Sequence, residues 1–479
     1  MSNGDQLVSS GLQWAGIILI IIVVLISIIS LMIEKVDTPK VTVIGAVVAG
    51  IIFKFMTDWD FLLEANSIRE EIPTNFLEAL AQMIDVDVIL IIFSVSTIVA
   101  VTKKSGFFDL ISLAIVKRTK GDPKKLMISL GGFSFILSMF FDNLSAIIIL
   151  GSLTVIVCKE LELRPQPYVL FVGTNTIIGG LPTPVSSLPN LIFYKSFQNL
   201  LEANPSYQNV ANISFLKFTL IMFPAAIIFY AVAILYFFLL YRKEIFISVP
   251  KEKKEQIERI NIWTSIKKKS DVYKSLAIVV ILFTGFVLSD LIGIGLGFIS
   301  LFVALLALLL FNDNLVEFIK EGIEWEMIVY YSGLFVLMGI FIGVGSLQPI
   351  NNALTNLIGG GSFSKLILVA LIVGLIGLPV AGFLETSSAS ILFSQIFGKI
   401  VGNIGMQNLG LWFAFVFAGN MGGSLSPIGS ITILIAIKVL NREGDDITFM
   451  QYIKKTLGLT FIHALLAIAY SFVLIAIFA

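Results

Sequence analysis

The chain carries the same pair of polar motifs twice within otherwise apolar sequence. Asp142 is matched by Glu385, and the Gly/Pro/Ser-rich stretch 179–187 is matched by 422–430. The second copy follows the first by 243 residues in both cases. Each copy thus contains a carboxylate in an apolar segment, followed by a helix that Gly, Pro and Ser interrupt. Interrupted helices at corresponding positions of two halves indicate the binding site of a secondary transporter.

Composition places the chain in a membrane. Of its 479 residues, 57% are hydrophobic and only 13% are charged, whereas soluble domains carry about 25% charged residues. The apolar runs reach the length of about 20 residues that a spanning helix needs, which favours helices over a barrel. A net charge of zero gives no reason to expect nucleic-acid binding. The single cysteine, Cys158, excludes an internal disulfide framework and a Cys-rich metal site.

We predict an all-α polytopic membrane protein with about ten transmembrane helices and two polar-tipped hairpins. The hairpins are expected at about 126–158 and 366–402. A charged linker, 242–274, separates a first repeat, 12–241, from a second repeat, 275–479. The expected spans are 12–33, 41–56, 88–103, 167–193, 213–241, 275–292, 295–311, 327–346, 410–437 and 456–479. Segment 105–118 is expected to form an amphipathic helix on the membrane surface.

Lys and Arg counts predict the orientation, because cytoplasmic loops are rich in these residues. The linker 242–274 contains ten of them and segment 103–125 contains seven, whereas segment 57–87 contains eight acids and one Arg. All loops follow the rule only if each polar-tipped stretch crosses the membrane twice or not at all. The two stretches are therefore predicted to be re-entrant hairpins, in repeats of opposite orientation, with both termini outside.

The hairpin tips carry the candidate chemistry. A carboxylate at bilayer depth costs about 2.5–3.5 kcal/mol on insertion scales, so Asp142 and Glu385 are expected to face a cavity and to bind an ion. The alternative is that each acid only caps the helix that follows it. The change from Asp142-Asn143 to Glu385-Thr386 suggests that the halves work unequally.

Uncharged polar residues complete the predicted ion- or substrate-binding site. Their oxygens suit small cations, and freed N–H groups at half-helix starts suit anions, although small residues also serve helix packing. The candidates are Asn143, Ser145, Thr174, Asn175, Thr176, Thr183, Ser186, Thr386, Ser387, Asn420, Ser424 and Ser426. Asp142, Asn143 and Glu385 are the candidate Na⁺ ligands.

These motifs resemble the ion transporter superfamily, which includes NhaD-type sodium/proton antiporters, ArsB arsenite exporters, the P protein, citrate-metal symporters and divalent-anion symporters. The tip at Asp142-Asn143 is more similar to the NhaD, ArsB and P-protein branch, whereas Glu385-Thr386 departs from its repeated Asp-Asn. The resemblance implies a scaffold domain, often dimeric, and a transport domain that holds both hairpins and moves like an elevator.

The leading functional hypothesis is exchange of a cation, most simply Na⁺, for protons across the plasma membrane. Burial makes carboxylates harder to ionise, so protons and Na⁺ would compete at Asp142 and Glu385. The alternative is ion-coupled transport of arsenite or of a carboxylate. A hydrolase would need paired acids in a recognisable motif, and a channel would not need an inverted repeat. We therefore expect a transporter rather than an enzyme, with a small ion or solute as its partner, and no cofactor other than coupling Na⁺ or H⁺.

Overall fold

All regular secondary structure that the computed structural model describes is helical. The described residues are 3–31, 33, 36–66, 73–205, 213–247, 251–259, 261–263, 266, 268–311, 320, 322–359, 361–406 and 408–478. Nine helices in these ranges are long and apolar enough to cross a membrane. This confirms the prediction of an all-α polytopic membrane protein.

Eleven helices form the first half of the chain. They are α1 (Asn3–Leu31), α2 (Thr38–Met56), α3 (Trp59–Asn66), α4 (Phe76–Met83), α5 (Val86–Lys104), α6 (Phe107–Thr119), α7 (Pro123–Phe140), α8 (Asn143–Glu160), α9 (Pro165–Gly179), α10 (Leu188–Ala203) and α11 (Phe215–Leu240). The span expected at 167–193 is thus two helices, since the Gly/Pro/Ser-rich stretch interrupts it. The surface helix expected at 105–118 corresponds to α6.

The second half repeats this order after two short helices, α12 (Arg242–Ile245) and α13 (Lys251–Glu258). Its helices are α14 (Lys269–Ile292), α15 (Leu296–Phe311), α16 (Trp325–Gly343), α17 (Gln348–Ile358), α18 (Phe363–Phe383), α19 (Thr386–Ile404), α20 (Leu409–Met421), α21 (Ile431–Arg442) and α22 (Phe449–Ile477). Helix α14 begins before the span predicted at 275–292, within the predicted linker. Helix α17, which was not predicted from the sequence, is the counterpart of α6.

The helices pack in two groups. The scaffold group contains α1, α2, α5, α14, α15 and α16, in which α2 packs on α16 and α5 packs on α15. The hairpin group contains α7–α11 and α18–α22, in which α7 packs on α9 and α18 packs on α20. These contacts come in equivalent pairs, as a two-fold relation between the repeats requires. The groups meet where α16 contacts α19, α5 contacts α10 and α11 contacts α14.

Helices α7 and α8 form the first hairpin, as their contacts with α9 show. Helix α7 runs parallel to α9, because the Ser134 hydroxyl donates to the Val172 carbonyl at 3.2 Å and the Thr183 hydroxyl donates to the Met139 carbonyl at 3.0 Å. Helix α8 runs the opposite way, since its first residue, Asn143, lies against Gly180 beyond the end of α9. The chain therefore turns back at Phe141-Asp142.

Helices α18 and α19 form the second hairpin in the same way relative to α20. Helix α18 runs parallel to α20, since Gly377 lies against Ala418 and Ala381 lies against Gly422. Helix α19 runs antiparallel to α20, since Ser390 lies against Gly419 and Phe397 lies against Phe415. Helices of the two repeats also pack on each other, with α10 antiparallel to α20. Asn420 Nδ2 donates to Asn190 Oδ1 at 3.0 Å, and the Phe197 and Trp412 ring centroids are 4.7 Å apart.

Close packing of the first hairpin against α9 depends on Gly179. A Cβ atom there would lie 2.3 Å from the carbonyl oxygen of Phe135 and 2.7 Å from its Cα. Gly179→Ala should therefore push α7 away from α9 and lower the thermal unfolding midpoint, since overpacking costs about 1–3 kcal/mol. Gly402→Ala is the control, because a Cβ at Gly402 has no atom within 4 Å. Equal midpoints for the two purified variants would contradict this prediction.

Candidate ion- and solute-binding site

A cavity of about 80 Å³ lies where the two hairpin tips approach the scaffold group. The first tip contributes Asp142 and Asn143, and the second contributes Glu385, Thr386 and Ser387. The starts of α10 and α21 and the side chains of α5 and α16 complete its wall. The volume holds several waters or one partly hydrated ion. The repeated tips are therefore brought to a single site.

Asp142 is the N-cap of α8. Its Oδ1 accepts hydrogen bonds from the backbone N–H groups of Leu144 and Ser145, both at 2.9 Å, and its Oδ2 accepts from the Ser145 hydroxyl at 2.7 Å. The carboxylate is half-buried and borders the cavity. Capping is therefore part of its role. It leaves lone pairs on Oδ2, because each carboxylate oxygen accepts more than one hydrogen bond.

Glu385 caps α19 and is more enclosed, with 7% of its surface exposed. Its Oε1 accepts from the Ser387 hydroxyl at 2.7 Å, and its Oε2 accepts from the Ser388 backbone N–H at 3.1 Å. Its backbone has φ 70° and ψ 140°, a conformation that L residues rarely adopt. Such backbone costs about 1–3 kcal/mol and clusters at functional sites. The strain at this tip therefore points to function in addition to capping.

Asn143 fastens the first tip to the interrupted helix. Its amide nitrogen donates to the Thr176 carbonyl at 3.1 Å and lies 3.3 Å from the Ser186 carbonyl. The Ser138 hydroxyl is 2.6 Å from the same amide group. Asn143 thus borders the cavity while most of its hydrogen bonds hold the tip in place.

The other predicted residues of the first repeat lie behind the cavity wall. Within α9, Asn175 Nδ2 donates to the Phe171 carbonyl at 2.7 Å and the Thr176 hydroxyl donates to the Val172 carbonyl at 2.9 Å. The Ser186 hydroxyl lies 2.8 Å from the carbonyl oxygens of both Gly180 and Thr183 and has one proton to share between them. The Thr174 hydroxyl is buried without a hydrogen-bond partner among the described residues. Of these groups, only the Ser186 hydroxyl stabilises the interruption between α9 and α10, whereas Asn175 and Thr176 bond within α9.

The predicted residues of the second repeat have similar positions. The Ser426 hydroxyl donates to the Gly382 carbonyl at 2.6 Å and so ties the interruption to α18. Asn420 bonds to Asn190 across the two repeats, and the Ser424 carbonyl accepts from the Tyr452 hydroxyl at 3.0 Å. None of the three predicted residues Asn420, Ser424 and Ser426 borders the cavity.

The interrupted helices reach the cavity through the N-termini of α10 and α21. Ser187 and Ser430 occupy their N-cap positions and both line the cavity. Ser187 accepts from the Asn190 N–H at 3.4 Å, whereas the Ser430 side chain makes no capping bond. This pair is absent from the predicted site residues, although the two serines show the same 243-residue spacing. Four helix N-termini of the hairpin group therefore converge on the site.

Scaffold helix α16 supplies residues that were not predicted from the sequence. Glu324, immediately before this helix, lies with Oε1 3.3 Å from the Ser145 hydroxyl. The Tyr330 hydroxyl donates to Glu385 Oε2 at 3.4 Å, and the Tyr331 hydroxyl is 3.5 Å from that of Ser387. Glu324 and Tyr331 line the cavity. The cavity thus has three carboxylates and, among the described residues, no Lys, Arg or His in its wall.

No three Asp, Glu, His or Cys side chains in the described ranges converge as a metal site would require. A cation bound at Asp142, Asn143 or Glu385 would therefore complete its coordination with hydroxyl or carbonyl oxygens or water. Such mixed oxygen ligands suit hard cations.

Comparison with known proteins identifies the family. A family profile described as "Citrate transporter" matches residues 17–414. The chain belongs to this citrate transporter family. An uncharacterised transporter of Mycobacterium tuberculosis is 23% identical over 389 residues, covering 81% of this chain and 86% of that protein. The Mus musculus P protein is 20% identical over 447 residues, covering 79% of this chain and 52% of its own. The family and the P protein match agree with the superfamily predicted from the sequence.

The structural comparison supports the same fold. The YdaH transporter of Alcanivorax borkumensis superposes with a TM-score of 0.55 at 13% identity, covering 84% of this chain and 88% of its own. Family and fold together identify the protein as an integral membrane transporter of a small solute and not as an enzyme.

Proposed function

We propose that the protein exchanges a cation, most simply Na⁺, for protons. The observation that carries this proposal is the charge of the cavity wall, where three carboxylates face no basic side chain among the described residues. An uncompensated group of acids in a membrane favours a bound cation or proton, because ionised carboxylates are costly there without a partner. Asp142 and Glu385 would bind Na⁺ when ionised and release it when a proton takes its place.

Alternating access would come from movement of the hairpin group against the scaffold group. The two hairpins lie together in the hairpin group, and the cavity at their tips borders the scaffold group. An elevator movement of this group would carry Asp142 and Glu385 past α5 and α16. A homodimer formed through the scaffold group is part of the same proposal.

Transport of a carboxylate anion is the second candidate. Two helix N-termini at the cavity, those of α10 and α21, have Ser187 and Ser430 and not acids at their N-cap positions. Helix N-termini favour anions through their free N–H groups and dipoles. The family description supports this candidate as well. Asp142 and Glu385 would then hold the coupling ion beside the substrate.

Flux measurements on purified protein in liposomes separate the two candidates. With a pH-sensitive dye inside, addition of external Na⁺ should drive proton efflux without any organic solute if exchange is correct. Uptake of labelled citrate that requires Na⁺ or H⁺, without solute-independent exchange, would instead support anion transport. Absence of both activities would reject both candidates.

Orientation is tested by labelling single cysteines in a Cys158→Ser background. We propose a plasma-membrane location in which both termini lie outside and the first hairpin opens to the cytoplasm. Cysteines placed at Lys120 and Glu162, at the two ends of this hairpin, should react only with reagent on the cytoplasmic side. Cysteines placed at Ser362 and Gly405 should react only from outside. Labelling of one pair from opposite sides would contradict the re-entrant arrangement.

A further inference from the structure

Helix α16 touches both hairpin tips from the scaffold side. Glu324 contacts Ser145 on the first tip, and Tyr330 contacts Glu385 on the second. Helix α16 itself packs on α2, within the scaffold group. These two contacts therefore join the groups, and relative movement of the groups would change them.

Glu324 does not serve as a helix cap. It occupies the N-cap position of α16, yet its side chain makes no capping hydrogen bond. Asp85 has the equivalent position before α5 and accepts from its own helix, at the Val88 N–H, at 3.2 Å. Capping explains an acid at Asp85 but not at Glu324. The Glu324 side chain turns toward the first hairpin tip instead.

The Ser145 hydroxyl is placed between two carboxylates. Asp142 Oδ2 is 2.7 Å from the Ser145 oxygen, and Glu324 Oε1 is 3.3 Å from it. A serine hydroxyl has only one proton to donate. When that proton is directed to Glu324, it is withdrawn from Asp142. The two carboxylates thus compete for one donor.

This competition determines how strongly Asp142 is held as a cap. Its Oδ1 is occupied by the N–H groups of Leu144 and Ser145. Among the described residues, its Oδ2 receives only the Ser145 hydroxyl. If that hydrogen bond is lost, all lone pairs of Oδ2 become available to other ligands. Glu324 therefore acts on the oxygen best placed to bind a cation in the cavity.

We propose that Glu324 is a positioning residue for cation binding, which competes for the Ser145 hydroxyl and so weakens its hydrogen bond to Asp142 Oδ2. Glu324 can compete for the Ser145 hydroxyl only while α16 lies against the first tip. Cation affinity therefore differs between the conformation in which they touch and the one in which the hairpin group has moved away. This inference rests on the cation exchange proposed above. It predicts that Glu324 acts through Ser145 and not by its charge alone.

A double-mutant cycle tests this route. In liposomes, Glu324→Ala should raise the Na⁺ concentration for half-maximal exchange about tenfold, the size expected for one hydrogen bond to a charged group. In a Ser145→Ala background the same substitution should change it less than about twofold, since additivity fails for residues that act together. Glu326→Ala, which removes an exposed acid two residues further along, should have no effect.

A measurement without Na⁺ separates this inference from the proposed function. Amide hydrogen exchange in residues 142–150 should slow in Glu324→Ala, because the Ser145 hydroxyl then strengthens the cap, and the slowing should vanish in Ser145→Ala. This pattern without any Na⁺ exchange by the wild-type protein would reject the proposed function and retain the role of Glu324. Equal effects of Glu324→Ala in both backgrounds, or no effect in either, would overturn the inference.

Discussion

Asp142→Asn should abolish gradient-driven transport while leaving the protein folded. The amide oxygen of the substituted side chain can still accept from the Leu144 and Ser145 N–H groups, and asparagine is as good an N-cap as aspartate. The substitution removes the negative charge that would bind the cation. We expect exchange to fall by more than about 100-fold, which corresponds to about 3 kcal/mol and to loss of a strong charged contact. Liposome flux and the thermal midpoint of the purified variant measure the two effects.

Asp122→Asn provides the matched control. Asp122 caps α7 at the other end of the same hairpin, where its Oδ1 accepts from the Lys124 and Lys125 N–H groups, both at 3.1 Å. The chemical change is the same, but Asp122 does not border the cavity. Exchange should remain near the wild-type rate. Equal losses in the two variants would mean that both acids act only as caps, and an unchanged rate in Asp142→Asn would remove Asp142 from the ion site.

The tips were predictable because a carboxylate in apolar sequence is a strong local signal. Asp142 and Glu385 stand out for their insertion cost, and the shared 243-residue spacing with the interrupted stretches links them to one architecture. The structure places both acids in one cavity wall. The same spacing also relates Ser187 to Ser430. The repeat therefore contained more information on the site than polarity alone suggested.

For the other polar residues, the sequence could not distinguish ligands from residues that only make internal hydrogen bonds, because the same residue types serve both roles. Buried polar atoms almost always require hydrogen-bond partners. The backbone groups freed where a helix is interrupted therefore bond to nearby hydroxyls and amides. The Thr183 hydroxyl bonds to Met139 and the Ser426 hydroxyl to Gly382 for this reason. Both residues were predicted as ligands, and in the structure each hydroxyl ties its interrupted stretch to a hairpin helix.

Glu324 shows the opposite difficulty. An acid just before an apolar run is the ordinary sequence of a helix start, where it favours the dipole. Only tertiary packing brings it to Ser145, 179 positions away in the chain. No local pattern distinguishes this residue from Asp85, which caps its own helix. The contribution of α16 to the cavity thus emerges only when the repeats are assembled.

Glu385→Gln should separate proton coupling from cation binding. Several hydroxyl and N–H groups surround the Glu385 carboxylate, including the Ser387 and Tyr330 hydroxyls, and it is more enclosed than Asp142. We therefore expect unequal roles, with Asp142 as the main cation ligand and Glu385 as the main proton carrier. Gln keeps the size and can still cap α19, but it cannot take up a proton at the relevant pH.

The expected result is a flattened pH dependence. In the wild type the half-saturating Na⁺ concentration should rise as pH falls, by up to about tenfold per pH unit for one competing proton. In Glu385→Gln the change should fall below about twofold per unit, while calorimetric Na⁺ binding remains measurable. Asp142→Asn should lose that binding at every pH. Equal loss of binding in both variants would show that the two tips act as a symmetric pair, and retained pH dependence in Glu385→Gln would assign the proton to another carboxylate in the cavity.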